Sequence, residues 1–433
     1  MKTRKFGIIA SYFICDYKTV LKDAGAIISD GRIECVKSAA CITEYCKKEN
    51  INLKDERGKI VFPGFINAHT HMYGVYSHGI PNPTENFKDF LSDYWWPVME
   101  NRIRKEHAAC ATEVAAQKYI KTGVTCICDT LEAPLAEEDT LEAEYEILKK
   151  FGIKGILSTE CCERIIRENG LKVHRQNLEF AKKHMSGNIR GIICSHTTFT
   201  CSDSFICTMK KDSDKNNIMW QFHLSEGDFE PEYNKEKHNM TPVEYLDNLG
   251  VLGDNVLASQ CVCITDKELD ILAKKGVKTV HMPLSNCEVG AGVAPVVRML
   301  EKNITVALGS DGYVDDFFAI MRATFLFHKA VNKNAQVMPA DIVFKMATQS
   351  GAEALGFKNM GCLREGYAAD MVIYEDDFPT PLTEKNIFDQ LILQGSPSGI
   401  RGVYTDGILR SLPDNNGVAG LKKSAKEFWN YEN

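Results

Sequence analysis

Three absences narrow the functions open to this 433-residue chain. It has no apolar run approaching the roughly 18 residues that a membrane span requires, and its N-terminal apolar run is too short and interrupted for a secretory signal. The net charge of −7, with both signs interspersed, lacks the basic excess of proteins that bind nucleic acid or anionic membranes. We therefore expect a cytoplasmic protein with no nucleic-acid and no membrane partner.

The cysteines also lack a pattern. Although there are sixteen of them, no two are spaced as a C-x-x-C pair, which argues against a cysteine metal site or a redox couple. Disulfide frameworks are typical of short secreted chains, and this chain is long and shows no secretory signal. We expect its cysteines to be reduced and to pack as small apolar residues.

A barrel pattern fills the middle of the chain. Capping-box spacings in T-P-V-E and T-D-K-E mark the starts of two helices there. Eight short β-rich runs alternate with helical stretches, at residues 61–66, 124–129, 153–159, 190–195, 218–224, 255–260, 278–282 and 304–310. Strand-then-helix units repeated eight times predict an α/β fold, a (β/α)8 TIM barrel.

The two ends of the chain have a different, β-rich pattern. Residues 1–60 and residues 363–433 each contain a D-G turn pair flanked by strand-like runs, as hairpins do. We predict that both ends build one small β-sandwich domain outside a barrel domain of residues 61–362. The final helical stretch, residues 418–430, is expected to pack back on the body of the protein.

Polar or ionisable residues follow nearly every predicted strand. In a (β/α)8 barrel the carboxyl ends of the strands meet at one face, which carries the chemistry. A scatter of satisfied polar residues would not converge in this way, so we read the set as a functional site. Its members are His69 and His71, Asp129, Glu160, His196, His223, Gln260, Ser285 with Asn286, and Asp311.

A metal site is the first reading of this set. His69 and His71 are separated by one residue, so at strand spacing both imidazoles point the same way and can reach one ion. Together with His223 and Asp311 they offer four ligands that suit one divalent ion, Zn²⁺ first and Fe²⁺ as the alternative. Such an ion lowers the pKa of a bound water, Glu226 can carry a proton to a leaving nitrogen, and Asp311 can accept one.

The motifs around these residues resemble the amidohydrolase superfamily. They occur in order over nearly the whole chain: P-G-F-I-N-A-H-T-H, S-H-T-T-F-T-C-S, H-L-S-E, H-M-P-L-S-N, L-G-S-D-G and G-Y-A-A-D-M-V-I. The resemblance is to the branch of cytosine, guanine and S-adenosylhomocysteine deaminases and triazine chlorohydrolases. It implies metal ligands at the four positions above, Glu226 as the proton shuttle and His196 as a contact to the substrate ring. Because no lysine follows the fourth strand, it implies one metal ion rather than two.

Two further motifs, W-W-P-V-M-E-N-R-I and D-D-F-P-T-P-L, resemble aminohydrolases associated with anaerobic purine breakdown. In that comparison Glu100 matches a position that reaches the substrate. Trp95, Trp96 and Phe199 could stack on a flat heterocycle, and simple packing explains aromatic residues at a barrel mouth equally well. Arg164 could bind a substrate carbonyl or carboxylate, or be a solvated surface arginine.

One departure from the family concerns Gln260. It stands in A-S-Q-C-V-C, where the family usually has A-H-C-V-H and a histidine that orients the metal-bound hydroxide. Glutamine can donate and accept a hydrogen bond but cannot titrate. Glu288, in S-N-C-E-V-G, likewise stands where a lysine or leucine is common. We count Gln260 with Glu226 and Asp311 as the catalytic residues.

The sequence therefore predicts a metal-dependent aminohydrolase of purine catabolism. Its substrate would be a small amino-substituted heterocycle, purine- or pterin-like, that is attacked by metal hydroxide and loses ammonia. One alternative keeps the site and changes the leaving group or opens the ring. A second is a metal-bearing homologue without activity, against which the retention of Glu226 argues. We expect a homodimer.

Overall fold

The computed structural model describes residues 5–312, 316–410 and 416–429. The described strands, in chain order, are β1 Phe6–Asp16, β2 Thr19–Ser29, β3 Arg32–Ser38, β4 Asn52–Pro63, β5 Phe65–Thr70, β6 Val124–Leu131, β7 Lys154–Thr159, β8 Ile189–Gly191, β9 Ile193–Cys194, β10 Trp220–Leu224, β11 Val256–Gln260, β12 Lys278–His281, β13 Val306–Leu308, β14 Met371–Glu375, β15 Ile400–Thr405 and β16 Ile408–Arg410.

Helices separate most of these strands. They are α1 Ala39–Lys48, α2 Phe87–Asp89, α3 Lys105–Thr122, α4 Thr140–Phe151, α5 Arg167–Lys183, α6 Asp203–Asn216, α7 Phe229–His238, α8 Pro242–Asn248, α9 Asp266–Lys275, α10 Pro283–Glu288, α11 Val296–Glu301, α12 Phe317–Val331, α13 Ala340–Ala347, α14 Gln349–Ala354, α15 Ile387–Leu393 and α16 Asn416–Trp429. A π-helical stretch, Phe90–Met99, and the 3₁₀ turns Met72–Tyr76, Glu100–Arg102 and Pro397–Gly399 complete the set.

Both ends of the chain form one seven-stranded sheet, in the order β16-β15-β14-β4-β1-β2-β3. Strands β1 and β4 pair in parallel, and the other neighbours are antiparallel. The two predicted hairpins are confirmed, because β2 and β3 are joined at Asp30–Gly31 and β15 and β16 at Asp406–Gly407. All four turn residues have positive φ, which suits a tight hairpin turn. The arrangement of this sheet as a sandwich stays a prediction.

The middle of the chain forms parallel strands in two sheets, β5-β6-β7-β8 and β9-β10-β11-β12-β13. Bridges between Cys161 and Ser195, and between Thr70 and Asp311, link the strand ends of one sheet to those of the other. Strands β6 and β7 are buried at every position, as expected of parallel strands covered on both faces. The strands follow the predicted order, and the predicted run 190–195 corresponds to two short strands, β8, which begins one residue earlier at Ile189, and β9.

The first predicted barrel strand, residues 61–66, is wrong in its bounds. Strand β4 runs to Pro63 in the seven-stranded sheet, and the first parallel strand, β5, begins only at Phe65. The chain changes sheets at Gly64, where an added Cβ would lie 2.3 Å from the Thr125 hydroxyl oxygen. Only glycine allows this approach. The apolar pattern is continuous across this point, so it could not reveal the change.

Local signals were more reliable. The predicted capping boxes are present at the starts of α8 and α9. Helix α16 covers most of the predicted stretch 418–430, although residue 430 lies outside the described residues. It packs on the body as predicted, since the Phe428 ring lies 4.9 Å from that of Tyr76 and the Trp429 indole N–H donates to the Tyr76 carbonyl at 2.7 Å.

A buried ion pair connects the two parts of the fold. The Lys154 ammonium, at the start of β7, lies 2.9 Å from the Asp370 carboxylate just before β14, and both side chains are at most 4% exposed. The same ammonium pairs with Asp406 in the β15–β16 turn. The parallel strands are thus fixed against the outer sheet by charge as well as by apolar packing. Within the described part of the chain, no helix is long and apolar enough to cross a membrane.

Candidate active site

Three imidazoles meet at one end of the parallel strands. His69 lies in β5, His71 follows it directly, and His223 lies in β10; all three are buried. One nitrogen of each falls within 4.8 Å of the others. Burial, with the two neighbouring imidazoles, lowers the pKa of His69 well below its usual value. The ring is therefore neutral, the form that binds a metal.

The hydrogen bonds of these rings leave nitrogens turned toward a common point. His71 Nδ1 lies 2.7 Å from the Thr130 carbonyl, so it donates there and Nε2 carries the free lone pair. That Nε2 is 3.4 Å from His223 Nε2 and 3.6 Å from Asp311 Oδ1. Neither nitrogen of the buried His69 has a hydrogen-bond partner. Unpartnered imidazole nitrogens beside a carboxylate fit a divalent ion.

Asp311 is held by the backbone rather than by a regular strand. It follows β13 with a left-handed φ of 59° and bridges to Thr70. The His71 amide donates to the Asp311 carbonyl at 3.0 Å, and the Asp311 amide donates to the His69 carbonyl at 3.1 Å. These bonds hold the fourth predicted ligand beside His71, whose Nε2 lies 3.6 Å from Asp311 Oδ1.

Gln260 faces this site as predicted. Its Nε2 donates to Asp311 Oδ2, and its Oε1 accepts from Asn286 Nδ2, which also donates to Glu226 Oε1 at 3.3 Å. Both Gln260 and Cys261 have left-handed φ angles, of 74° and 52°, so the end of β11 is strained where the side chain turns inward. The amide thus connects Asp311 with Asn286 and, through it, with Glu226.

Glu226 is partly buried and lines the same cavity as His71 and His223. Burial raises the pKa of its carboxyl well above the usual value, and the charges of Asp311 and Glu132 add to the effect. The side chain therefore holds a proton near neutral pH. A protonated, partly buried acid beside a set of metal-type ligands can deliver a proton.

Glu132 belongs to the site but was not predicted from the sequence. This buried carboxylate directly follows β6, accepts from the Tyr73 hydroxyl, and accepts from the Trp95 indole N–H at 3.3 Å. Its oxygens lie 3.7 Å from His71 Nδ1 and 3.7 Å from His223 Nε2. Glu132 could have been predicted as a polar residue at the end of a barrel strand, but Asp129, within the same strand, was chosen instead. Glu132, Glu160, His196 and His223 form a second group of ligand-type atoms within 4.8 Å of one another.

His196 stands beside the metal-type cluster. Its ring centroid is 5.6 Å from that of His223, and its Nδ1 lies 3.0 Å from the Thr200 hydroxyl. The rings of Trp96 and Phe199 contact it edge-on at 6.1 and 5.7 Å. Burial lowers the pKa of His196 well below its usual value, so the ring is neutral.

Glu100 and Arg164 form an ion pair behind this ring. Arg164 Nη2 lies 2.6 Å from Glu100 Oε2, and the guanidinium also stacks over Trp96 at 4.7 Å. The prediction left open a solvated surface position for Arg164, and the structure places it partly buried in this pair instead. Of the predicted substrate contacts, His196 lines the cavity. The described lining residues do not include Glu100, Arg164, Trp96 or Phe199. Their contact with a substrate stays a prediction.

A cavity of about 220 Å³ opens above the site. Its floor and walls combine the metal-type cluster with acids and aromatic rings, which suits a flat polar ligand. The lining includes His71, His196, His223, Asp311, Glu132, Glu226, Glu288, Phe87, Phe90, Tyr94 and Trp95.

The chain matches a known protein family over most of its length. The model of the amidohydrolase family matches residues 60–409. The chain belongs to the amidohydrolase family. The predicted family is thereby confirmed, and with it the TIM-barrel fold with α/β content.

Relatives match over most of their length. A 5′-deoxyadenosine deaminase of Methanosphaera stadtmanae is 30% identical over 396 residues, which is 90% of each chain. A 5-methylthioadenosine/S-adenosylhomocysteine deaminase of Thermococcus sibiricus is 32% identical over 360 residues, 82% of each chain. The zinc-bound crystal structure of an adenosine deaminase from Xanthomonas campestris superposes with a TM-score of 0.86 at 21% identity, covering 98% of this chain and 97% of that one.

Proposed function

We propose that this chain is a metal-dependent hydrolase that deaminates an amino-substituted heterocycle, purine- or pterin-like, and releases ammonia. The observation that carries the proposal is the meeting of His69, His71 and His223, with Asp311 Oδ1 3.6 Å from His71 Nε2 and the proton-bearing Glu226 on the same cavity wall. This combination offers a place for an ion, a proton carrier and a cavity above both.

One divalent ion, Zn²⁺ with Fe²⁺ as the alternative, fits the four ligands, and the zinc-bound structural neighbour supports that choice. Bound there, the ion would lower the pKa of water toward neutrality and supply the nucleophile. His71 is held for this role by its bond to Thr130, which keeps Nε2 free.

The remaining residues handle protons and position. Glu226 gives its proton to the departing nitrogen, and Asp311 accepts the proton of the attacking water. Gln260 donates to Asp311 and so fixes the orientation of that carboxylate. His196, neutral and on the cavity wall, contacts the ring of the substrate.

The names of the relatives support the same chemistry. Those compared above are deaminases, which bears out the predicted class of hydrolase, acting on carbon–nitrogen bonds other than peptide bonds. We further propose that the protein acts in purine catabolism, is located in the cytoplasm and forms a homodimer. We also propose a closed barrel and a β-sandwich arrangement of the seven-stranded sheet, with the domain bounds given above except that residues 61–63 belong to that sheet.

The test is ammonia release by zinc-loaded protein from purines, pterins and pyrimidines, with elemental analysis of bound metal. Glu226→Gln should keep its metal and lose turnover by about 10²–10⁴-fold, since it removes only the proton carrier. Glu365→Gln, at an exposed position, is the matched control and should stay active. Full activity in Glu226→Gln would refute the role of Glu226 as proton carrier. Ring opening without release of ammonia would favour the alternative reaction, in which the same site opens the ring or displaces another group.

A further inference from the structure

We propose that the cavity selects an amino-heterocycle without an anionic substituent, whose N–H donors face the Glu132 carboxylate. This inference rests on the proposed function and narrows it to a substrate class: a neutral or cationic ring with an amidine-type or 2-amino edge. Phosphorylated and carboxylate-bearing analogues are excluded by charge.

The first step is the charge of the cavity. Four acidic side chains line it, those of Glu132, Glu226, Glu288 and Asp311. No lysine or arginine occurs among the lining residues that the structure describes. Glu226 holds a proton and the ion would lie next to Asp311, so Glu132 and Glu288 carry the remaining negative charge of the wall. This charge favours positive or hydrogen-donating groups.

The second step concerns Arg164, the residue that the sequence predicted to bind a substrate carbonyl or carboxylate. Arg164 is paired with Glu100 at 2.6 Å, donates to the Asn101 side chain at 2.9 Å, and lies over the Trp96 ring. Glu100 has no exposed surface, so separating the pair would leave a buried carboxylate without its partner. Arg164 is therefore engaged by the protein and is not offered to an anionic substrate.

The third step is the position of Glu132. Tyr73 and Trp95 donate to its Oε2, which stabilises the carboxylate, while Oε1 has His223 Nε2 at 3.7 Å. The neighbouring buried Glu160 also hydrogen-bonds to the Glu132 carboxylate. A carboxylate has about four acceptor positions, so the bonds from Tyr73, Trp95 and Glu160 leave one for a ligand in the cavity. A substrate N–H group can fill that position.

Two matched pairs of probes test the selection on zinc-loaded protein. Adenosine and adenosine 5′-monophosphate differ only in an anionic group, and 2,6-diaminopurine and adenine differ only in a 2-amino donor. We expect adenosine to bind at least about 10-fold more tightly than its monophosphate, and the diaminopurine more tightly than adenine, in calorimetric titrations. Ammonia release from each probe is measured in parallel.

Two variants test which residues cause these two binding preferences. Glu132→Gln should reduce the diaminopurine preference by about 10-fold, and Glu288→Gln should reduce discrimination against the monophosphate; a merely structural role would leave both ratios unchanged. Because Glu288 is exposed, its variant keeps the test available if Glu132→Gln fails to fold.

The outcomes separate this inference from the proposed function. Equal affinity for adenosine and its monophosphate in the wild type, or ratios unmoved in folded variants, would overturn the inference and leave deamination standing. The expected binding order without ammonia from any probe would count against those heterocycles as deamination substrates and leave the charge selection standing. No binding by any of the four probes would overturn the selection.

Discussion

Replacing Gln260 by leucine tests whether the proposed site is catalytic or only binds a metal ion. The glutamine amide donates to Asp311 and accepts from Asn286, and it is 1% exposed. Leucine fills a similar volume and meets a similar backbone cost at the left-handed φ, yet it makes neither bond. The perturbation therefore removes two hydrogen bonds and little else.

The magnitude follows from the bond to Asp311. A hydrogen bond to a charged group contributes about 1.5–3 kcal/mol, and a loss of this size in the transition state lowers kcat/KM by about 10- to 100-fold. All four proposed metal ligands remain, so the bound metal should not change. Ammonia release, with elemental analysis of the same samples, measures both quantities.

Gln260→His is the matched control. A neutral imidazole has one donor and one acceptor, so it can replace both bonds, and kcat/KM should recover toward the wild type. Its pH profile should gain an ionisation near 6.5, with activity falling as the pH is lowered, because the imidazolium can no longer accept from Asn286. Wild-type activity in Gln260→Leu, or a histidine variant no better than leucine, would refute the reasoning.

Three further predictions concern stability and metal binding. Lys154→Met should destabilise the fold by about 3–5 kcal/mol in urea unfolding, because the buried Asp370 loses its partner, and adding Asp370→Asn should restore part of this. Burial lowers the pKa of His328 to about 4, so the unfolded chain takes up the proton first and stability should fall from about pH 6.5 toward pH 4. The full effect is about 3 kcal/mol, and metal-free His328→Gln should show a shallower pH slope. His69→Ala should lose its metal on dialysis, since it removes one of four ligands.

Each of these has a clear contrary result. A Lys154→Met variant as stable as the wild type would mean that the ion pair does not connect the two parts of the fold. An unchanged pH slope in His328→Gln would assign the acid sensitivity to other groups. Full metal content in His69→Ala would place the ion elsewhere, with the carboxylates around Glu132 as the next position to examine.

The sequence by itself identified the family, and it predicted most of the residues that the structure brings together in the candidate site. His69, His71, His223 and Asp311 could be found because parallel barrel strands bring their carboxyl ends to one face, so a residue's place in the chain specifies its place in space. Gln260 was found by the same rule, and the capping boxes were found because they depend on neighbours three residues apart. Such features can be predicted because they depend either on neighbouring residues or on the regular order of strands in a barrel.

The tertiary structure alone decided which side chains are partners. The chain changes sheets at Gly64 because strands distant in sequence pair on either side of it. Glu132 faces the imidazoles, and Arg164 is engaged by Glu100, because packing sets the inward direction and spacing of residues from different elements. Such contacts join residues tens of positions apart, and no periodicity along the chain encodes them.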